Sequence, residues 1–155
     1  MIEVTLEYYE VDQAAHVGQL RNLSAMSRGY DSKIPGREWQ AHIEGACGEI
    51  AVAKAAGKYW GGSINTFKDG GDIASTGWEV RTRSSHDHDL IIRDNDPDGR
   101  VFILVTGLSP TFRIHGWIKS EDAKREEWRK NHGGHGLAYF VPQELLNNME
   151  DLFVN

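Results

Sequence analysis

Two acids and two arginines fall within one short stretch, Asp72-Ile-Ala-Ser-Thr-Gly-Trp-Glu-Val-Arg-Thr-Arg83. If Thr76-Gly77 is a two-residue hairpin loop, Ser75 lies opposite Trp78, Ala74 opposite Glu79, Ile73 opposite Val80 and Asp72 opposite Arg81. Strand alternation then places Ile73, Ser75, Trp78, Val80 and Thr82 on one mostly apolar side. Asp72, Ala74, Glu79, Arg81 and Arg83 share the other side. Asp72 and Glu79 become diagonal neighbours with backbones about 7–8 Å apart, close enough for their carboxylates to converge over Ala74. A slip of one residue would turn Asp72 away.

Two carboxylates held this way, joined by Glu49 from a nearby helix, make a hard-oxygen site suited to Mg²⁺ or Mn²⁺. Such an ion polarises a phosphate and lowers the pKa of an attacking water. A cation two residues after Glu79, Arg81, lies about 6.6 Å along the strand on the same face, where it can orient that water or balance anionic charge. The chemistry implied is phosphodiester hydrolysis. The competing account of the charges is a cross-strand ladder of salt bridges with Arg81 and Arg83. That ladder does not explain why Glu49 sits among glycines and alanines.

The elements that must position these groups read as an α/β sandwich. Residues 13–28 pattern as a helix burying Val17, Leu20 and Leu23 and ended by Gly29. After a loop through Pro35-Gly36, a clearer helix over 39–56 carries Ile43, Cys47, Ile50 and Ala53 at helical spacing, and Gly57 stops it. Gly45 and Gly48 inside it cost roughly 1 kcal/mol each relative to alanine, so a backbone or a ligand is expected to approach there. The period then changes to two. Leu90–Ile92 and Val101–Val105 read as strands, the second apolar on both faces and so central in a covered sheet. Phe112, Ile114, Gly116 and Ile118 alternate with Arg113, His115 and Trp117. Ser120 is expected to cap a helix over about 121–131, with acids in its first turn and Arg129 and Lys130 in its last. Leu137–Val141 reads as a short strand, and Pro142 opens a final helix with Leu145, Met149 and Leu152 on one face.

The chain of 155 residues suits a single domain, with no repeat or linker to divide it. One cysteine, Cys47, rules out an internal disulfide and a multi-cysteine zinc site. The apolar runs are too short to cross a bilayer, and MIEVTLEYYE has no signal core, so a cytoplasmic protein without membrane attachment is expected. The net charge of −6 disfavours broad nucleic-acid coating but permits a local basic groove.

On the helix motif Gly45-x-x-Gly48-Glu49 and the downstream Asp72-(six residues)-Glu79-Val80-Arg81, the chain resembles the PD-(D/E)XK nuclease superfamily over about residues 41–141. The compact layout is similar to small phage-encoded members. The resemblance implies a restriction-endonuclease-like α-β-β-β-α-β core, a mixed sheet flanked by helices, with extra helices at both ends. It also implies a divalent metal and DNA hydrolysis. Glu49 matches the helix acid, Asp72 the metal-binding aspartate and Glu79 the second acid. Arg81 stands where the family has lysine, and arginine cannot accept a proton. A catalytically weak or inactive DNA-binding or assembly protein on the same fold is therefore the alternative. Lys54 and Lys68 are other amines, but Lys54 lies more than about 100° around the helix from Glu49. Arg81, Arg83, Arg93 and Arg113 are the expected nucleic-acid contacts, and a homodimer would ease a double-strand cut.

Other signals read more plainly. "DNDPDG" at 94–99 matches half of a calcium loop, but its twelfth position is Val105, so a strand-connecting turn is expected. His86-Asp87-His88 and His132-Gly-Gly-His135 have loose spacing for zinc and read as surface histidines. Trp39, Trp60, Trp117 and Trp128 have the chemistry to stack on bases, although packing is the ordinary role of tryptophan.

Overall fold

The computed structural model describes residues 1–29, 36–64, 71–73, 75–134 and 136–154. Its strands are β1 (Ile2–Thr5), β2 (Trp78–Arg83), β3 (Leu90–Ile92), β4 (Val101–Leu108), β5 (Thr111–Lys119), β6 (Arg129–Asn131) and β7 (Leu137–Val141). The helices are α1 (Tyr8–Ser27), α2 (Glu38–Ala56), α3 (Ser120–Ala123) and α4 (Met149–Phe153). A four-stranded sheet runs β1-β5-β4-β2, mixed because β2 pairs parallel with β4 while the other pairs are antiparallel. A second, antiparallel sheet runs β3-β7-β6.

The larger sheet is the middle of three layers. Ile103 and Val105 of β4 pack with Ala46, Ile50 and Val52 of α2, whereas Phe102 and Leu104 pack with Leu90, Ile92 and Val141 of the second sheet. β4 is therefore buried on both faces, as its unbroken apolar run requires. In β5 the simple alternation fails. Its register against β4 shifts between Leu104 and Val105, so Leu104 faces Gly116 and Val105 faces Ile114. His115 is the extra residue of this bulge. Trp117 consequently packs with the helical-side core and Ile118 with the opposite one.

The first helix begins at Tyr8 rather than residue 13, and its buried face differs from the one its leucines suggest. Ala14, Gly18 and Asn22 are buried, while Leu20 and Leu23 are each 50% exposed. The reason is closeness: a Cβ on Gly18 would lie 2.5 Å from Ile43 Cα. Only small residues at i, i+4 spacing let α1 lie against α2. In α2, Gly48 is likewise explained, since a side chain there would strike Thr82 of β2. Gly45 is not, because a Cβ there meets nothing within 4 Å. Gly18→Ala and Gly45→Ala should therefore shift stability in opposite directions in thermal unfolding. The first is expected to lose about 1–3 kcal/mol to overpacking; the second is expected to gain up to about 1 kcal/mol of helix propensity.

The helix expected over 121–131 is a single turn, α3, followed by a 3₁₀ turn at Glu126–Trp128 and strand β6. Ser120 does not cap it; its hydroxyl donates to the Pro97 carbonyl at 2.7 Å. Arg129 instead serves a cross-sheet role, pairing with Asp94 at 3.0 Å and lying over Tyr139. The final helix also starts late, with a 3₁₀ turn at Gln143–Leu145 before α4, and Leu145 is exposed while Met149 is buried. The coarse α/β arrangement, a mixed four-stranded sheet with helices, stands. Among the described residues no helix is long and apolar enough to cross a membrane.

Candidate active site

Trp78 and Val80 of β2 point to the helical-side core, and Thr82 packs on Gly48 of the same layer. Alternation sends Glu79, Arg81 and Arg83 to the opposite face. The segment before β2 is held by isolated bridges, with Ile73 antiparallel to Trp78. This register differs by two residues from a Thr76-Gly77 hairpin. The connection is a longer turn in which Ser75 takes φ 64° and Thr76 N donates to Ile73 O. Gly71 also bridges Trp78, in parallel, so the segment is not a regular hairpin arm, and Asp72 is placed by its own bonds to β2.

Asp72 is fixed from both sides of its backbone. Its N–H donates to Trp78 O at 2.7 Å, and its Oδ2 accepts from Val80 N at 2.7 Å. Its carboxylate lies near enough to Glu79 to act on that group's charge. Burial, then the Asp72 charge, push the Glu79 carboxyl up to about 7, while Arg100 and Arg81 pull it the other way. Arg100 reaches Glu79 at 3.6 Å. Asp72 and Glu79 thus lie near one another, with Asp72 held to the β2 backbone.

Glu49 is also buried, yet its oxygens are already engaged. Arg21 of α1 donates to both, Nη1 to Oε1 at 2.6 Å and Nη2 to Oε2 at 3.0 Å, and Trp60 Nε1 donates to Oε2 at 2.8 Å. The Arg21 Nε–H is bonded to Ser63 O at 3.0 Å. Burial raises the Glu49 carboxyl, the Arg21 bonds oppose that, and Asp72 is near enough to raise it further. Glu49 therefore stands beside the acid pair as a clamped second layer. Among the described residues, no group of three or more His, Cys, Asp or Glu is arranged to hold a metal ion.

Arg81 is turned toward the 94–99 turn, where its Nη2 donates to Asp96 Oδ1 at 2.7 Å, and its guanidinium lies 5.0 Å from the Phe102 ring centroid. Arg83 donates to Asp89 O at 2.8 Å. Arg83, Thr106 and Arg113 form a row across β2, β4 and β5, with Arg113 paired to Glu3 at 3.4 Å. Arg93 follows β3, its backbone N–H bonded to Asp96. The half calcium loop is filled by a side chain: Lys124 Nζ donates to Asp94 O, Asp96 O and Asp98 Oδ1. An ammonium there does what a bound cation would. Lys54 points away, to Thr5 O and Glu10. His86 and His115 flank the Thr106 hydroxyl at 2.8 and 2.6 Å, and His132 packs edge-on against Phe140. Pro35, Lys68, Ala74 and His135 lie outside the described residues.

Sequence reading assigned no site role to Arg21 or Arg100, placed Asp96 only in the 94–99 turn, and left Trp60 to packing, with base stacking as the other option, where it is an indole donor to Glu49. One signal was available: a buried acid lined by glycine and alanine needs a cation from another element. Neither a protein-family model, nor a curated protein, nor a solved structure matches the chain.

Proposed function

We propose that this chain is a divalent-metal-dependent nuclease hydrolysing phosphodiester bonds in DNA, in the cytoplasm, on a core related to the restriction-endonuclease-like fold. The observation that carries the reading is the nearness of Asp72 to Glu79, whose carboxyl it helps to raise. Two carboxylates held near one another at neutral pH must share a proton or take up a cation, and a group poised near 7 exchanges one for the other within the physiological range. Asp72 and Glu79 fit Mg²⁺ or Mn²⁺, since magnesium takes one or two carboxylates and leaves its other positions to water and phosphate. Bound there, the ion would supply Lewis acidity and a water of lowered pKa.

The chain's own residues do the rest. Asp72, anchored by Val80 N–H, fixes the position of the acid pair. Arg21 and Trp60 hold Glu49 in place, so Glu49 acts on the site through charge or through water rather than as a direct ligand. Arg100 and Arg81 flank Glu79 with positive charge that suits a scissile phosphate, Arg81 exchanging its Asp96 partner for the substrate.

Binding without turnover is the second reading, and one observation favours it: Arg81 is already paired with Asp96 and cannot serve as a proton acceptor. A nicking assay on supercoiled DNA with Mg²⁺, Mn²⁺, Ca²⁺ or EDTA separates the two. Cleavage is expected with Mg²⁺ or Mn²⁺ alone, and Glu79→Ala should remove it while the protein stays folded. DNA retention without cleavage under every condition would favour the binding reading. Arg81→Lys is expected to cleave at least as fast as the natural chain if a lysine-like role is wanted at that position. A loss would show that the bidentate guanidinium is the working group.

A further inference from the structure

A cavity of about 330 Å³ opens where the carboxyl ends of the parallel pair β2 and β4 meet the first half of α2. Crevices at the carboxyl ends of parallel strands are ordinary places for ligands. Its lining includes the small or apolar Ala41, Gly45 and Leu108, the polar Arg37, Gln40 and Arg83, and the acid Glu44, whose carboxylate accepts from Ser109 N and Oγ. Gly45 is the residue that packing does not explain. It sits inside a helix, costs roughly 1 kcal/mol relative to alanine, and has open space where its Cβ would be. Bare backbone at a cavity wall permits close approach of a flat ligand. Arg83 is half-buried there, and burial pulls its guanidinium below its ordinary range, an effect that Asp89 opposes. A negatively charged guest would favour its charged form.

The cavity lies on the same two elements as the acid site. Gly45 precedes Glu49 by four residues, about 6 Å along α2. Arg83 follows Glu79 by four residues, about 13 Å along β2. A stacked strand rises about 3.4 Å per nucleotide, so the two places are a few nucleotides apart.

We infer that this cavity seats one unpaired nucleotide of the substrate strand, its base against Ala41, Gly45 and Leu108 and its phosphate toward Arg37 and Arg83. The inference rests on the nuclease reading and narrows its substrate to DNA with single-stranded character, because a base still paired and stacked in a duplex is not free to enter a cavity. Gln40 provides both a donor and an acceptor for the edge of the base. A flipped or already unpaired nucleotide avoids the unstacking cost that a duplex would impose.

The test measures binding of a fluorescein-labelled single-stranded oligodeoxynucleotide and of the matching perfect duplex by anisotropy, in EDTA so that nothing is cleaved. The natural chain is expected to bind the single strand at least tenfold more tightly than the duplex. Gly45→Leu, which fills the cavity from the open side, should abolish that preference by weakening the single strand alone. Ala41→Leu, one helical turn earlier on the same wall, should do the same and covers the case in which one variant fails to fold. Single-strand affinity unchanged in a folded Gly45→Leu protein overturns the inference, as does equal affinity for the two DNAs in the natural chain. The nicking assay keeps the two ideas apart. Mg²⁺-dependent cleavage with no Gly45→Leu effect leaves the nuclease and removes the pocket. A single-strand preference that Gly45→Leu removes, in a natural chain that never cleaves, leaves the pocket and removes the nuclease.

Discussion

Glu79→Gln should abolish metal-dependent cleavage and, at pH 8 without metal, make the protein more stable. Its carboxyl lies at about 7 when folded, against an ordinary value of 4.5. The folded chain therefore holds a proton that the unfolded chain has released. The stabilisation from that proton is complete below pH 4.5 and is lost as pH rises through 7. The shift amounts to at most about 3 kcal/mol, and partial solvation of the pair reduces it to roughly 2 kcal/mol. Glutamine keeps the shape, can donate to Asp72, and carries no charge to be repelled. For a chain of this length a gain of that size corresponds to a rise of about 4–8 °C in Tm. Adding Mg²⁺ or Mn²⁺ at pH 8 should stabilise the natural chain by mass action, about 2.7 kcal/mol at a hundredfold excess over Kd, and leave Glu79→Gln unmoved. At pH 5 neither effect should remain. A Tm indifferent to both the substitution and the metal at pH 8 would mean that the acids do not contest one site.

The facing of Glu79, Arg81 and Arg83 away from Trp78 and Val80 was legible because alternation depends only on parity. The Thr76-Gly77 hairpin was misplaced, since Ser75 in the left-handed region gave no advance sign, yet Asp72 still reaches β2, where its Oδ2 accepts from Val80 N. The central strand was legible for a similar reason: Val101–Val105 is apolar at every position and only a doubly covered strand tolerates that. Trp117 and Ile118 exchanged sides because the extra residue at His115 is set by long-range register, which local pattern does not encode.

Failures elsewhere share a cause. Leucine spacing in α1 pointed to the wrong face because the contact with α2 is governed by how near two backbones come, and small residues carry that information only once the partner is known. Residues 121–131 have helical dipole chemistry, but Lys124 and Arg129 answer to the acids of the 94–99 turn, some thirty residues earlier in the chain. Tertiary charge pairing outweighed local propensity. The site shows the same division. Glu49 could be recognised as an acid in small surroundings, while its cation, Arg21, is 28 residues away on another helix.

That clamp leads to the second large expectation. Arg21→Ala removes the bidentate partner of a buried carboxylate and leaves Trp60 as its remaining donor among the described bonds. Breaking a buried pair from one side costs about 3–5 kcal/mol, because the stranded charge is poorly solvated. The corresponding drop in Tm is roughly 6–20 °C. The stranded acid escapes part of this penalty by protonating, and burial already raises Glu49 in the natural chain. The deficit should thus be small near pH 4.5 and grow toward pH 8, since each step up in pH makes the neutral form harder to keep. Replacing both partners, Arg21→Leu with Glu49→Leu, should recover much of the stability, as a buried pair is worth little against well-packed apolar groups. Cleavage separates position from packing. If Glu49 acts on the acid pair, the stable double variant should still cut poorly, with its Mg²⁺ requirement shifted to higher concentration. Full activity in that variant would confine Arg21, Glu49 and Trp60 to holding α1 and α2 together.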